Sequence, residues 1–96
     1  MVLLGISITL RLHGVFSLKD KRRIVKSIVE RNRSRHNVSS AEIDLHDILN
    51  QTVIGFGIVS GDYTIARKKL DQLLDQLEDN YPVEILEHRW WNGVMQ

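Results

Sequence analysis

Every second residue from Leu4 to Leu12 is apolar, with Gly5, Ser7, Thr9 and Arg11 between them. A period of two places one set of side chains on a single face, so Val2 to Leu12 is predicted to be a strand with one buried face. After His13-Gly14 the period changes. From Ser17 to Asn37, Leu18, Ile24, Val25, Ile28 and Val29 fall on one side of a helix, wide enough to seat it on a core. Ser17 is its predicted N-cap, with Asp20 at capping-box spacing, and Asn37 is its predicted stop. Val38 to His46 alternates again, with Ala41, Ile43 and Leu45 on one face and Ser40, Glu42, Asp44 and His46 on the other. Asp47-Ile48-Leu49-Asn50 reads as a short connection. Gln51 to Ser60 is a third strand, with Ile54, Phe56 and Ile58 opposite Val53, Gly55, Gly57 and Val59.

Ser60-Gly61-Asp62 opens a second helix, capped by Asp62 or Ser60. Tyr63, Ala66, Leu70, Leu73, Leu74 and Leu77 form its apolar stripe, and Asn80-Tyr81-Pro82 ends it because proline cannot continue a helix. Val83 to Trp91 is a fourth, less regular strand, after which Asn92-Gly93 begins a tail. The order strand, helix, strand, strand, helix, strand, joined by right-handed crossovers, predicts an α+β fold. Its expected form is a ferredoxin-like βαββαβ sandwich, with a four-stranded antiparallel sheet carrying both helices on one face. Other arrangements of the same six elements are compatible with the pattern. Residues 1–96 are read as a single domain, long enough for one core.

Charge changes the picture at the first helix. From Lys19 to His36 there are eight Lys or Arg and two acids, a formal balance of +6, so the rest of the chain sums to −5 within a total of +1. Lys19, Arg22, Arg23, Lys26 and Arg33 gather in an arc of about 100° opposite the apolar stripe. A solvated helix face is the simplest explanation of such a run. Against it, Lys19, Lys21, Arg22 and Arg23 crowd the first turn and a half, where the helix dipole disfavours each cation by about 0.3–1 kcal/mol. Only Glu30 stands near the centre of the arc as an i,i+4 partner. Cations at a helix N-terminus are explained by an anion bound there, and a phosphate backbone is the natural one. Lys21 falls within the apolar stripe instead. Its stem either snorkels to place the ammonium at the sheet edge or aims a cation at a ligand beside the helix start.

The remaining candidates are weaker. Phe56 is the only ring on the two strands that would be central, and it shares a face with Ile54 and Ile58. A base-stacking sheet is therefore not expected, and any RNA would be held through phosphates. Leu3, Val53 and Val59 share the alternate register with the strand glycines. Trp90 and Trp91 project to opposite faces of their strand. Leu3, Val53, Val59, Trp90 and Trp91 are the expected interface of a homodimer with two-fold symmetry. Asp44, His46 and Asp47 are the one cluster with ligand chemistry, but no spacing fixes a third ligand, so no metal is expected. No nucleophile elbow, Walker loop or dinucleotide fingerprint occurs, so neither catalysis nor a cofactor is expected.

Composition adds boundaries. Apolar residues at 43% and charged residues at 26% are those of an ordinary globule, and the absence of cysteine excludes disulfides and thiolate chemistry. The leading MVLLGISITLRL has no basic start or cleavage site, and no apolar run approaches the roughly 20 residues that span a bilayer, so a cytoplasmic protein without membrane contact is expected.

Three segments carry a resemblance: Ser17-Leu18-Lys19-Asp20-Lys21-Arg22, Asn37 through Asp44, and Asp47 through Ser60-Gly61-Asp62. Together they resemble the YlxP-like family of small bacterial proteins of unknown function, with the similarity fading after about Glu87. The resemblance implies a ferredoxin-like fold and a bacterial cytoplasmic protein. It also implies RNA or ribosome association, because members are often encoded beside factors for transcription, translation initiation and ribosome maturation. It brings no catalytic motif. The family pattern often has an aromatic where this chain has Leu49, so a contact resting on a ring in that loop does not transfer. The expected function is thus a non-catalytic RNA- or ribosome-associated protein, the alternative being a homodimeric protein–protein interaction module.

Overall fold

The structure, a computed structural model, describes residues 1–94. Strand β1 spans Val2–Leu12, helix α1 Leu18–His36, β2 Ser39–Asp44, β3 Gln51–Ser60, α2 Tyr63–Asn80 and β4 Val83–Val94. The strands form one sheet in the order β2-β3-β1-β4, every neighbouring pair antiparallel. This is the ferredoxin-like arrangement, and the α+β expectation holds.

The capping residues read from the sequence act as expected. Ser17 Oγ accepts the Asp20 N–H at 3.1 Å, and α1 stops where Asn37 turns left-handed at φ 52°. Asp62 caps α2 by accepting the Ile65 N–H at 3.1 Å, while Ser60 Oγ bonds to the Asp62 backbone in the turn before it. Both helices lie on the side of the sheet bearing Leu4, Ile6, Ile8 and Leu10 of β1 with Ile54 and Phe56 of β3. Val25, Ile28 and Val29 of α1 and Ala66, Leu70, Leu73 and Leu77 of α2 meet them there. Burying each of these side chains other than Ala66 stabilises the fold by about 1.5–3 kcal/mol before entropy is counted. Phe56 is part of this core, as its register predicted.

Three elements depart from the alternation. Tyr63 leaves the α2 stripe and is exposed, its hydroxyl accepting from Arg67 Nη1 at 3.4 Å. Strand β2 ends at Asp44, where the pairing slips between Glu42 and Asp44. The chain then turns through Leu45 at φ 59°, a left-handed conformation uncommon for leucine. Strand β4 continues to Val94 and carries a bulge: Leu10 pairs with Ile85 and Thr9 with Glu87, leaving Leu86 without a partner on β1. That extra residue resets the phase of β4. Trp90 now opposes Ile6 on the helix side, and Trp91 opposes Gly5 on the bare side.

Candidate functional site

Lys21 enters the protein along the apolar stripe of α1 and is 0% exposed. Its ammonium donates to the carbonyl oxygens of Leu45, His46 and Ile48, all within 3.1 Å, and lies 3.5 Å from Glu42 Oε2. The Thr52 hydroxyl donates to the same Glu42 oxygen. An ammonium has three donors and no acceptor, and here all three are matched to carbonyls. The side chain does not snorkel out, because the loop after β2 folds over it and supplies the oxygens water would have supplied. Glu42 and Thr52 therefore occupy the covered face of the sheet, and Ala41 and Ile43, the apolar set of β2, face away from the helices. The left-handed Leu45 turns its carbonyl in this clamp, with its N–H taken by Asp44 Oδ1 at 2.7 Å.

Above this anchor the expected cations separate into two groups. Lys19, Arg22 and Arg23 are exposed and, among the described residues, make no ion pair or side-chain hydrogen bond. Lys26 is exposed and reaches Glu30 at 4.0 Å, an i,i+4 pair worth a few tenths of a kcal/mol at most. Arg33 is used within the fold: its Nε and Nη2 donate to the Ser40 carbonyl at 3.1 and 2.6 Å, tying the last turns of α1 to β2. Four of the five predicted phosphate contacts thus form one solvated surface along the first half of α1, and the fifth is a structural clasp.

The residues expected at an interface also divide. Leu3, Val53, Val59 and Trp91 share the helix-free face, Val59 and Trp91 being 66% and 61% exposed. Trp90 lies on the other side, half-buried, with the Arg67 guanidinium 3.8 Å above its ring centroid. The Tyr63 hydroxyl first, with burial pulling the other way, and then Asp71 hold that guanidinium above its ordinary value. Asp44, His46 and Asp47 do not converge. Asp44 caps Leu45, His46 Nε2 lies 3.2 Å from the Glu42 carbonyl, and no group of three or more metal-ligating side chains forms among the described residues.

Sequence reasoning missed Glu42 and Thr52 as the partners of Lys21. Two signals pointed to them: a lysine inside an apolar stripe, and an acid and a hydroxyl at alternating positions of two neighbouring strands.

A six-element α+β sandwich of ferredoxin-like topology, its first helix clamped to the loop after β2 through Lys21, defines the class. Within it, the chain belongs to the protein family of unknown function DUF503, whose profile matches residues 4–90. A relative from Bacillus subtilis (strain 168), described as the uncharacterized protein YlxP, is 35% identical over 66 residues, covering 69% of this chain and 71% of its own. The YlxP-like resemblance read from the three segments is thereby established. Among the described residues no helix is long and apolar enough to cross a membrane.

Proposed function

We propose that this protein is a cytoplasmic, non-catalytic RNA- or ribosome-associated protein that holds phosphates on the exposed face of α1 through Lys19, Arg22, Arg23 and Lys26. The observation carrying this reading is that three of these cations have no intramolecular partner among the described residues, although two acids lie on the same helix. Solvated cations near a helix N-terminus oppose the dipole, and a bound anion reverses the sign of that interaction. Phosphates suit these side chains because Arg offers a planar fork and Lys a mobile point charge. The contacts position the backbone and do not read bases. The Lys21 clamp serves the reading indirectly by fixing the start of α1 against the sheet, so that the four cations are presented together.

The test is fluorescence anisotropy with a labelled single-stranded RNA of mixed sequence. Each neutralised phosphate of a single strand is worth about 8-fold in affinity at roughly 50 mM salt, so replacing Arg22, Arg23 and Lys26 by Gln is expected to weaken binding several hundredfold. Absence of binding at low salt, or a triple variant that binds like the wild type, refutes the reading. The competing reading is a protein-binding module whose basic helix stays solvated, and the bare sheet face is the observation on its side.

A further inference from the structure

The sheet face away from the helices carries an open groove of about 800 Å³. Its floor is made of Gly5, Gly55 and Gly57, which lie side by side because Gly5 pairs with Gly57 and Ser7 with Gly55. Ile43, 53% exposed, leans over Gly55 from β2, its methyls 3.3 and 3.5 Å from where a Cβ would stand. From β4, Trp91 lies across Gly93 and reaches the edge of Gly5. Ile43 and Trp91 thus stand in different rows of the sheet, Ile43 beside Gly55 and Trp91 in the row of Gly5 and Gly57. Among the described residues no side-chain atom comes within 4 Å of where a Cβ of Gly57 would stand, which leaves an open slot there that admits an aromatic ring.

Charge selects the class of occupant. Among the described residues the cations of this face and groove are engaged, Arg11 with Glu84 at 3.4 Å, Arg89 with Glu87 at 2.9 Å and Arg33 at the β2 end with the Ser40 carbonyl, while the Asp44 carboxylate makes no ion pair. Among the described residues a phosphate chain finds no cation here without a hydrogen-bond or ion-pair partner, in contrast to α1. An apolar, neutral partner does find a surface, extended by Leu3 and Val59 beyond the groove. One chain supplies both parts of the fit, a largely exposed indole and an open slot beside it.

We propose that this face binds a second copy of the chain about a two-fold axis, the Trp91 of each copy entering the slot over Gly57 of the other. The inference stands independently of the phosphate reading. Four strands about 4.8 Å apart and about ten residues long present a face of roughly 600 Å², or 1,200 Å² for two copies. That lies at the lower limit for a specific interface. Both α1 helices lie on the outermost layers of the pair, so their positive charges stay apart.

Gly57 provides a test that spares the fold. A Cβ there meets nothing closer than the Leu4 carbonyl at 4.0 Å, and its φ is not in the left-handed region, so Gly57→Leu fits the monomer and fills the slot. Sedimentation velocity at about 100 µM is expected to give the wild type twice the 11.1 kDa of one chain and Gly57→Leu a single chain, with unchanged far-UV circular dichroism. Trp91→Ala, which removes a largely exposed ring and leaves the core intact, is expected to weaken association at least tenfold. A wild type that sediments as one chain at that concentration overturns the proposal. A Gly57→Leu or Trp91→Ala protein that still dimerises like the wild type places the contact elsewhere and overturns it as well. Quenching of Trp91 fluorescence by an oligonucleotide in a monomeric wild type assigns the slot to a base and overturns it too.

Discussion

Replacing Lys21 by methionine keeps the stem and removes the ammonium, which isolates what the clamp contributes. In the wild type the charge makes hydrogen bonds to Leu45, His46 and Ile48 and an ion pair with Glu42. Removing one member of a buried pair costs about 3–5 kcal/mol, because the other is left uncompensated. Glu42 is not wholly buried, its side chain being 16% exposed, and it keeps the Thr52 hydroxyl. The three carbonyls belong to a loop that can open to water. Both facts favour the lower end, so a loss of about 3 kcal/mol is expected, within the 5–15 kcal/mol of a domain this size. Urea denaturation followed by far-UV circular dichroism measures it. Amide exchange at Ile48, whose N–H donates to Leu45 at 3.1 Å, should quicken as the loop loosens. Adding Glu42→Leu removes the stranded charge and should recover a large part of the loss. If Lys21→Met costs under about 1 kcal/mol, or if the double variant is no more stable than the single one, the clamp is not what holds the loop.

Other expectations follow from the same geometry. Arg33→Gln should lower stability by about 1 kcal/mol by removing the bonds to the Ser40 carbonyl, yet leave the salt dependence of RNA binding unchanged. Asp62→Ala should cost about 1 kcal/mol in urea denaturation through loss of the α2 cap, and Asp62→Ser should restore it. Asn37→Gly should be nearly neutral and Asn37→Val destabilising, since the position is left-handed at φ 52°.

The strong periodicities were enough for the architecture, and they failed where a polar contact outweighed the pattern in β2, where a bulge shifted it in β4, and at Tyr63 in the first turn of α2. In β1 and β3, and in α2 beyond Tyr63, the apolar stripes coincide with the buried sides because nothing competes with burial there. In β2 the more apolar set, Ala41 and Ile43, faces away from the helices, since Lys21 draws Glu42 to the covered side. Alternation separates two faces of a strand without saying which one a helix will cover. In β4 the irregular pattern is the trace of a bulge at Leu86, and no local signal indicated which tryptophan would point where. The basic arc of α1 was legible from helix geometry, including its shortage of nearby acids. The use of Arg33 by Ser40 was not, because that contact depends on how α1 crosses β2.

The most direct test of the account is the salt dependence of RNA affinity. With Lys19, Arg22, Arg23 and Lys26 each neutralising one phosphate of a single strand, the slope of log K against log salt is expected near −2.8, about a 50-fold loss between 50 and 200 mM. The Arg22→Gln, Arg23→Gln, Lys26→Gln protein should show a slope near −0.7. Equal slopes for the two proteins, or an affinity indifferent to salt, contradict the claim that the exposed cations of α1 hold phosphates.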